Sequence, residues 1–303
     1  MNMREWLASG GAAAPDIVVV GAPISRASIS PSQAWSTPPA FREALARFPT
    51  WDASVAADIT ELSVRDDGDV QGDRDEADAS AAHDRIEAAV AAAAAVAGSL
   101  VVVIGGDNSL TRPAFRGVSG PGGAWGLLTL DAHHDCRPVT AGSANGTPVR
   151  ELIEAGLAGD RVAQVGIHPL GNVRDHAKWA VDQGIHVFPA GDVGSRGMDA
   201  VLTAALADLR RCGAEYLYAD IDIDVVDRAF APGCPASLPG GLLPGDLISA
   251  ARRIGRDPRV RAVDLCEVDA MADVAGITVR LMAAVFTALC AGVVERRRET
   301  TTP

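Results

Sequence analysis

Disulfides are the first thing this chain lacks. Its five cysteines, Cys136, Cys212, Cys234, Cys266 and Cys290, are odd in number, scattered and without CxxC spacing. That pattern argues against a disulfide framework and for a reducing, cytoplasmic setting. Each thiol reads as a small buried apolar residue, and only Cys136 stands apart, because it lies inside an acidic segment. Positive charge is scarce too. The 27 Lys and Arg face 39 Asp and Glu, for a net charge of −12 and a pI near 4.9. Nucleic acid is therefore not an expected partner, since it needs a basic face, and neither is an anionic membrane. An anionic small-molecule substrate stays open, because a pocket sets its own potential. Residues 1–14 hold no basic region followed by an apolar core, so no secretory signal is read there. The longest apolar stretch is taken as residues 88–97, alanine-rich and too short for a bilayer. A soluble protein is expected, with no internal repeat.

What is present is a strand–helix alternation over 303 residues, 48% of them hydrophobic. Apolar, β-branched runs predict strands at 17–20, 100–104, 127–130, 162–166, 185–188, 216–223 and 260–267. Helical patterns fall at 39–47, 77–97, 147–155, 173–183, 199–211, 244–253 and 279–295. Pro39 suits the first turn of its helix, and Gly98, Gly156 and Gly184 sit where C-terminal caps are expected. The alternation predicts an α/β fold, a three-layer α/β/α arrangement around a mainly parallel sheet, with ligands at the carboxyl ends of the strands. One domain over 1–303 is expected, with 65–78 a solvated loop and 1–14 and 296–303 frayed tails.

Three acidic segments follow or sit near predicted strand ends. They are Gly105-Gly106-Asp107-Asn108-Ser109, Asp131-Ala132-His133-His134-Asp135 and Asp220-Ile221-Asp222-Ile223-Asp224-Val225-Val226-Asp227. Side chains two apart share a strand face, so Asp131, His133 and Asp135 converge if their strand runs on past Leu130. Asp220, Asp222 and Asp224 have the same spacing. So many carboxylates in one place repel one another unless cations sit between them. Oxygen donors with one imidazole favour Mn²⁺ or a similar ion over a thiolate-type zinc site. One DxD alone reads as a solvated strand end; the three segments together read as a metal site.

These motifs resemble those of the ureohydrolases, the family of arginases, agmatinases and formiminoglutamases, which run approximately Gly-Gly-Asp-His-Ser, Asp-Ala-His-x-Asp and Ser-x-Asp-x-Asp-x-x-Asp-Pro. The likeness extends through Phe230-Ala231-Pro232-Gly233, Pro239-Gly240-Gly241-Leu242 and Val263-Asp264-Leu265-Cys266-Glu267-Val268-Asp269. It implies the arginase-like fold, two Mn²⁺, and a trimer or hexamer of like chains. Position by position, Asp131 and Asp222 resemble the bridging carboxylates, and His133 and Asp224 the ligands of one manganese. Asp135 and Asn108 occupy the ligand positions of the other. In the family the metal pair ionises a water that attacks a planar, cationic C=N carbon. Asp135 and Glu267 fall at catalytic positions, Glu267 also contacting the amidine or guanidine nitrogens, while Asp227 orients a ligand or a loop.

The departures are informative. Asn108 and Asn145 stand where most members, or arginase-like members, have histidines; Asp220 and Arg228 replace Ser and Pro. Asn108, a weaker donor than imidazole, implies looser metal binding at its site. Asp135-Cys136-Arg137, Asn145-Gly146-Thr147-Pro148-Val149-Arg150 and Gly166-Ile167-His168-Pro169-Leu170-Gly171-Asn172 resemble the formiminoglutamase branch. There Arg137 is the side chain shaped for bidentate recognition of a substrate carboxylate, with Asn145 and His168 as further substrate contacts. The reaction implied is hydrolysis of N-formimidoyl-L-glutamate to L-glutamate and formamide, a step of histidine degradation. Another amidino hydrolase, an agmatinase or a guanidino-acid hydrolase releasing urea, is the alternative. A metal-poor, non-catalytic binding protein is the second. The bland reading of Arg137 is a surface or inter-subunit salt bridge. His83, His176 and His186 lack ligand spacing and read as structural or solvated, and His134 is expected to point away from His133.

Overall fold

Eight strands form one sheet in which every pairing is parallel. The computed structural model describes residues 1–301 other than Ala12, Pro121 and Ala141. Its strands are β1 (Ile17–Ala22), β2 (Trp51–Asp52), β3 (Ala57–Asp58), β4 (Val64–Asp69), β5 (Leu100–Gly105), β6 (Trp125–Leu130), β7 (Val162–Ile167), β8 (His186–Pro189), β9 (Tyr216–Asp222) and β10 (Val260–Cys266). β2 and β3 make a small separate hairpin, and the large sheet runs β4-β1-β5-β10-β9-β6-β7-β8.

Helices cover both faces, giving the three layers expected. The central strands are apolar on each side because both sides are buried: Ile17, Val19, Val102 and Ile104 face one core, Val18, Val20, Val101 and Val103 the other. The first core is closed by helices Thr37–Ala44, Met198–Arg211, Pro244–Arg256 and Ile277–Thr301, the second by Ser80–Ala94, Thr111–Ser119 and Pro148–Glu154. Gly98, Gly156 and Gly184 all have positive φ, as capping requires. The predicted 39–47 helix starts earlier, at Thr37, with proline in its first turn, and ends as a short 3-10 turn, Leu45–Arg47.

Three expectations are corrected. Residues 65–78 were expected to be a solvated loop, yet Val64–Asp69 pairs with β1 as an edge strand. Its acidic residues are held by Arg42, which reaches Asp66 at 2.7 Å and Asp69 at 2.5 Å, and charge on an edge strand discourages further pairing. The amino terminus is not frayed throughout. Helix Met3–Ala8 opens on an Asn2–Glu5 capping box and buries Met3, Trp6 and Leu7. Likewise 296–301 continue the last helix, and Arg296 donates to the carbonyls of Asp257 and Val260; residues 302 and 303 lie outside the described residues. That helix, rather than 88–97, is long and apolar enough to cross a membrane, but 78% of its most apolar window is buried inside the fold. It is a core helix against Pro244–Arg256.

Trp6 ties the amino-terminal helix down: its Nε1–H donates to Leu62 O at 3.1 Å, and its ring lies 6.5 Å from that of Phe286. Trp6→Ala is expected to cost about 3–5 kcal/mol, read as a lower denaturation midpoint. An unchanged midpoint would return these residues to a frayed tail.

Candidate metal centre

Four neighbouring strands, β5, β10, β9 and β6, deliver the acidic segments to one end of the sheet. The chain leaves β5, re-enters three positions away as β6, and fills the gap later with β9 and β10. The carboxyl ends beside such a reversal open as a crevice. β5 leads into Asn108, β10 into Glu267, β9 ends at Asp222, and β6 leads into Asp131, His133 and Asp135.

The residues converge through turns and not, as their alternation suggested, through a strand that runs on. β6 ends at Leu130. Beyond it the Asp131 carboxylate accepts the His133 N–H at 2.6 Å. Asp222 does the same for Asp224 N–H at 2.7 Å, and Asp107 for Ser109 N–H at 3.0 Å. In each motif the leading aspartate closes its own turn and aims the residue two further on. Gly106 is needed at the first turn, because a Cβ there would lie 1.9 Å from Ile24 O. Asp135 and Glu267 both have left-handed backbones, with φ of 51° and 61°, a conformation costing a non-glycine residue about 1 kcal/mol or more.

His133 Nδ1 lies 2.6 Å from Asp224 Oδ2 and 3.6 Å from Asp131 Oδ1. Potential ligand atoms of these three residues all fall within 4.8 Å of one another. Asp131, Asp135, Asp222, Asp224 and Glu267 are all buried, five acids around one imidazole. Their electrostatics show the strain. Burial, reinforced by Asp224, raises Asp131 to about 7. Burial, with Asp131 for the one and Asp224 for the other, lifts Asp135 and Asp222 well above the usual carboxylate range. Burial and then Asp107 push Glu267 to about 8. Burial alone would depress His133, but Asp224 and Asp131 outweigh it and push it up to about 12. Asp224 is lowered despite its burial, because His133 faces it. The cluster is short of positive charge, and divalent cations are what its oxygen-rich donor set suits.

A cleft of about 290 Å³ opens onto this cluster, lined among others by His133, Asp135, Asp222, Asp224, Glu267, Arg137 and Asn145. Glu267 Oε1 accepts from Asn108 N–H at 2.7 Å and Asn145 Nδ2 at 3.0 Å, while its buried Oε2 has no partner among the described residues. Asn145 also accepts the Ile29 N–H at 3.0 Å, so its amide holds Glu267 to the 25–30 loop and is less free for a substrate than expected. Arg137 makes no ion pair among the described residues, so the salt-bridge reading finds no support within the chain. Asn108 Nδ2 donates to Asp135 Oδ2 at 2.6 Å, and its Oδ1 accepts from Thr111 Oγ1.

His168 is corrected. Its Nε2–H donates to Pro239 O at 3.0 Å, its Nδ1 accepts from Leu170 N–H at 3.1 Å, and it is absent from the cleft lining. Both nitrogens are spent on backbone, so His168 braces two loops. His176, read as structural or solvated, is half-buried and lines the cleft with Asn172 and Ser237; the sequence signal there was the Gly171-Asn172 pair just before its helix. His83, bonded to Ser109 at 2.8 Å, is structural as expected. His134 turns away to Gln164 at 2.7 Å. Asp227 orients a loop, accepting from Ala229 and Gly240 N–H, and Arg228 braces the same loop at Cys234 O. Cys136 is buried against His134 O, and burial raises its thiol far above the usual range, leaving it an inert filler.

A model of the arginase family matches residues 15–291, and the chain belongs to that family. The formimidoylglutamase of Halalkalibacterium halodurans is 34% identical over 271 residues, 88% of this chain and 84% of that one. The crystal structure of formimidoylglutamase from Bacillus subtilis superposes with a TM-score of 0.91 at 26% identity, over 97% of this chain and 92% of that one. Trypanosoma cruzi formiminoglutamase with Mn²⁺ has the same fold, with a TM-score of 0.89 at 23% identity, over 98% and 99%.

The raised carboxyl groups give the metal-free protein a defined pH response. Asp131 at about 7 and Glu267 at about 8 hold protons in the folded chain that the unfolded chain releases near pH 4. Folding thus takes up protons, and the stability it carries is full below about pH 4 and lost as pH rises through 7 to 8. With a chelator present, the melting temperature is expected to fall between about pH 5 and pH 8, and added Mn²⁺ to restore it most at the higher pH. A chelated protein that melts higher at the upper pH contradicts this electrostatic picture.

Proposed function

We propose that this protein hydrolyses N-formimidoyl-L-glutamate to L-glutamate and formamide, with two Mn²⁺ held by Asp131, His133, Asp135, Asp222, Asp224 and Asn108. The observation that carries the reading is the pairing, in one cleft, of Glu267 with its free Oε2 and Arg137 with no ion pair. One is an acceptor for amidine N–H, the other a donor fork for a carboxylate. The names of the relatives, and the Mn²⁺ in the Trypanosoma cruzi structure, support it. A cytoplasmic homo-oligomer, trimeric or hexameric, is the setting we infer from the family resemblance and the free cysteines.

When bound, the metals supply Lewis acidity and make a water acidic enough to be a nucleophile at neutral pH. The chain's own groups do the rest. Asn108 N–H and Asn145 Nδ2 fix Glu267 Oε1, which leaves Oε2 to receive the amidine N–H groups and hold the C=N carbon in place. Arg137 anchors a substrate carboxylate at the cleft rim. Asp135, facing the same cleft, is placed to take the proton that the attacking water gives up and pass it to the leaving amino nitrogen of glutamate.

Thr111 explains how Asn108 fits this set. Thr111 Oγ1 carries one hydrogen but lies 2.6 Å from Asn108 Oδ1 and 2.9 Å from Asp264 Oδ2, so it donates to only one of them. With the amide turned over, Nδ2 donates to Thr111, Thr111 donates to Asp264, and Oδ1 faces Asp135. Two oxygens that close need a cation between them. Asn108 is then a neutral ligand, weaker than imidazole.

A guanidino-acid hydrolase uses the same Arg137 logic, and an abandoned, non-catalytic site is consistent with Asn108 and Asn145. The second is disfavoured because every other ligand is present, with Asp131, Asp135, Asp222, Asp224 and Glu267 buried together around the half-buried His133.

Formamide release from formimidoylglutamate, dependent on Mn²⁺ and abolished by a chelator, is the expected result. Arg137→Ala should lower kcat/KM roughly ten- to a hundredfold without changing metal content. Urea release from guanidino acids in place of formamide release, or unchanged kinetics in the variant, overturns the substrate assignment. Asn108→His should raise Mn²⁺ per chain under identical purification and lower the Mn²⁺ needed for half-maximal activity. Metal counting by mass spectrometry on both proteins decides it, and equal full occupancy would remove Asn108 as the weak ligand.

A further inference from the structure

At the end of the sheet opposite the metal centre, where β9 and β10 begin, arginines gather in an otherwise acidic protein. A cavity of about 350 Å³ there is lined by Arg210, Arg211, Arg253, Arg259, Asp257 and Leu206, among others. Its one carboxylate is already saturated: Asp257 Oδ1 accepts from Arg259 N–H and Nε, at 2.9 and 3.1 Å, and Oδ2 from Nη2 at 2.7 Å. Arg211 is paired with Asp208 at 2.6 Å. Arg210 and Arg253 have no ion pair among the described residues. Buried within the cluster, Arg253 Nε and Arg259 Nη1 find no acceptor among the described residues.

Helix dipoles account for part of this. Helices Met198–Arg211 and Pro244–Arg256 both end here with arginines in their last turns, each terminus carrying roughly half a negative charge. That explains an arginine at each end. It does not supply acceptors for two buried guanidinium N–H groups, and buried donors without partners call for an explanation that a bound anion would give.

We propose that this cavity binds a small, multiply charged oxyanion of the phosphoryl class, remote from the catalytic cleft. A guanidinium presents paired N–H donors that match phosphate oxygens bidentately. A tetrahedral phosphate has enough acceptors for Arg210, Arg253 and the free edge of Arg259 together. Asp257 keeps Arg259 in place, and the helix carbonyls keep the approach from being purely cationic.

The test is a calorimetric titration of inorganic phosphate into the full-length Mn²⁺ protein, against chloride at matched ionic strength. A parallel titration with citrate separates a phosphoryl from a carboxylate ligand. Saturable binding of phosphate in preference to citrate is expected. Arg210→Gln and Arg253→Gln should each weaken it by about tenfold or more, with kcat/KM in phosphate-free buffer unchanged. Arg196→Gln, a surface arginine outside the cluster, should bind as the wild type does. Arg253→Lys keeps the charge and removes the Nε–H; weaker phosphate binding at an unchanged melting temperature in chloride separates ligand recognition from folding. No saturable binding by the wild type, or wild-type affinity in both Gln variants, overturns the site. Preference for citrate overturns the phosphoryl class.

Discussion

Burying five carboxylates around a single imidazole is the constraint on which the rest of this structure depends. Four of the five resist ionisation where they sit, as the raised Asp131, Asp135, Asp222 and Glu267 show, and only Asp224, facing His133, does not. Such a cluster persists only if the surrounding fold holds it rigidly. The parallel sheet meets that demand. Its four central strands are covered on both faces, so their carboxyl ends are fixed relative to one another before any ligand arrives. The left-handed Asp135 and Glu267 are the local strain that this frame tolerates.

The same frame divides the labour between turns and strands. Strand positions set where each segment emerges, and the aspartate-closed turns set where its side chains point. Asp227 and Arg228 then pin the loop after β9, and His168 ties that loop to the one after β7. Asn145 links Glu267 to the loop after β1. Loops from five different strands are thereby fastened around one cleft, as a site built for a small substrate requires.

How much of this the sequence reveals follows from the kind of signal each feature leaves. The central strands and the long helices were legible because burial on both faces writes continuous apolar runs, and the metal cluster was legible because carboxylates after such runs need a cause. Strand β4 was not. Val64-Arg65-Asp66-Asp67-Gly68-Asp69 carries no alternation, since an edge strand held by Arg42 obtains its order from a partner distant in sequence. The helix Met3–Ala8 is too short to show periodicity, and Trp6 finds its packing partner only in the last helix. The convergence of Asp131 and His133 was anticipated for the wrong reason, because a DxH spacing fits an extended strand and an aspartate-closed turn equally well. His168 and His176 exchanged roles for a similar reason: a histidine's sequence neighbours do not say whether backbone carbonyls will meet its ring.

Asp220, which replaces the family's serine, shows how the fold accommodates a further acid beneath the cluster. It pairs laterally with Asp264 on β10 and Thr129 on β6. Asp220 Oδ2 and Asp264 Oδ1 meet no other donor, so one of the two carboxyls must carry a proton. Burial, and then Asp264, push Asp220 well above the usual range, whereas Asp264 rises only to about 6, relieved by Tyr218 and Thr111. The donors fall on Asp264, whose Oδ2 takes the Tyr218 hydroxyl at 2.6 Å and lies 2.9 Å from Thr111 Oγ1, so the proton between the two carboxyls is better placed on Asp220. Cys266, also within ligand distance, is held neutral by burial. A neutral Asp220 does what a serine hydroxyl does, donating one hydrogen, without adding negative charge below the metal site. Thr111 Oγ1 in turn lies 2.6 Å from Asn108 Oδ1 and 2.9 Å from Asp264 Oδ2, so the two departures from the family pattern, Asp220 and Asn108, are joined through Asp264 and Thr111 in one hydrogen-bonded chain.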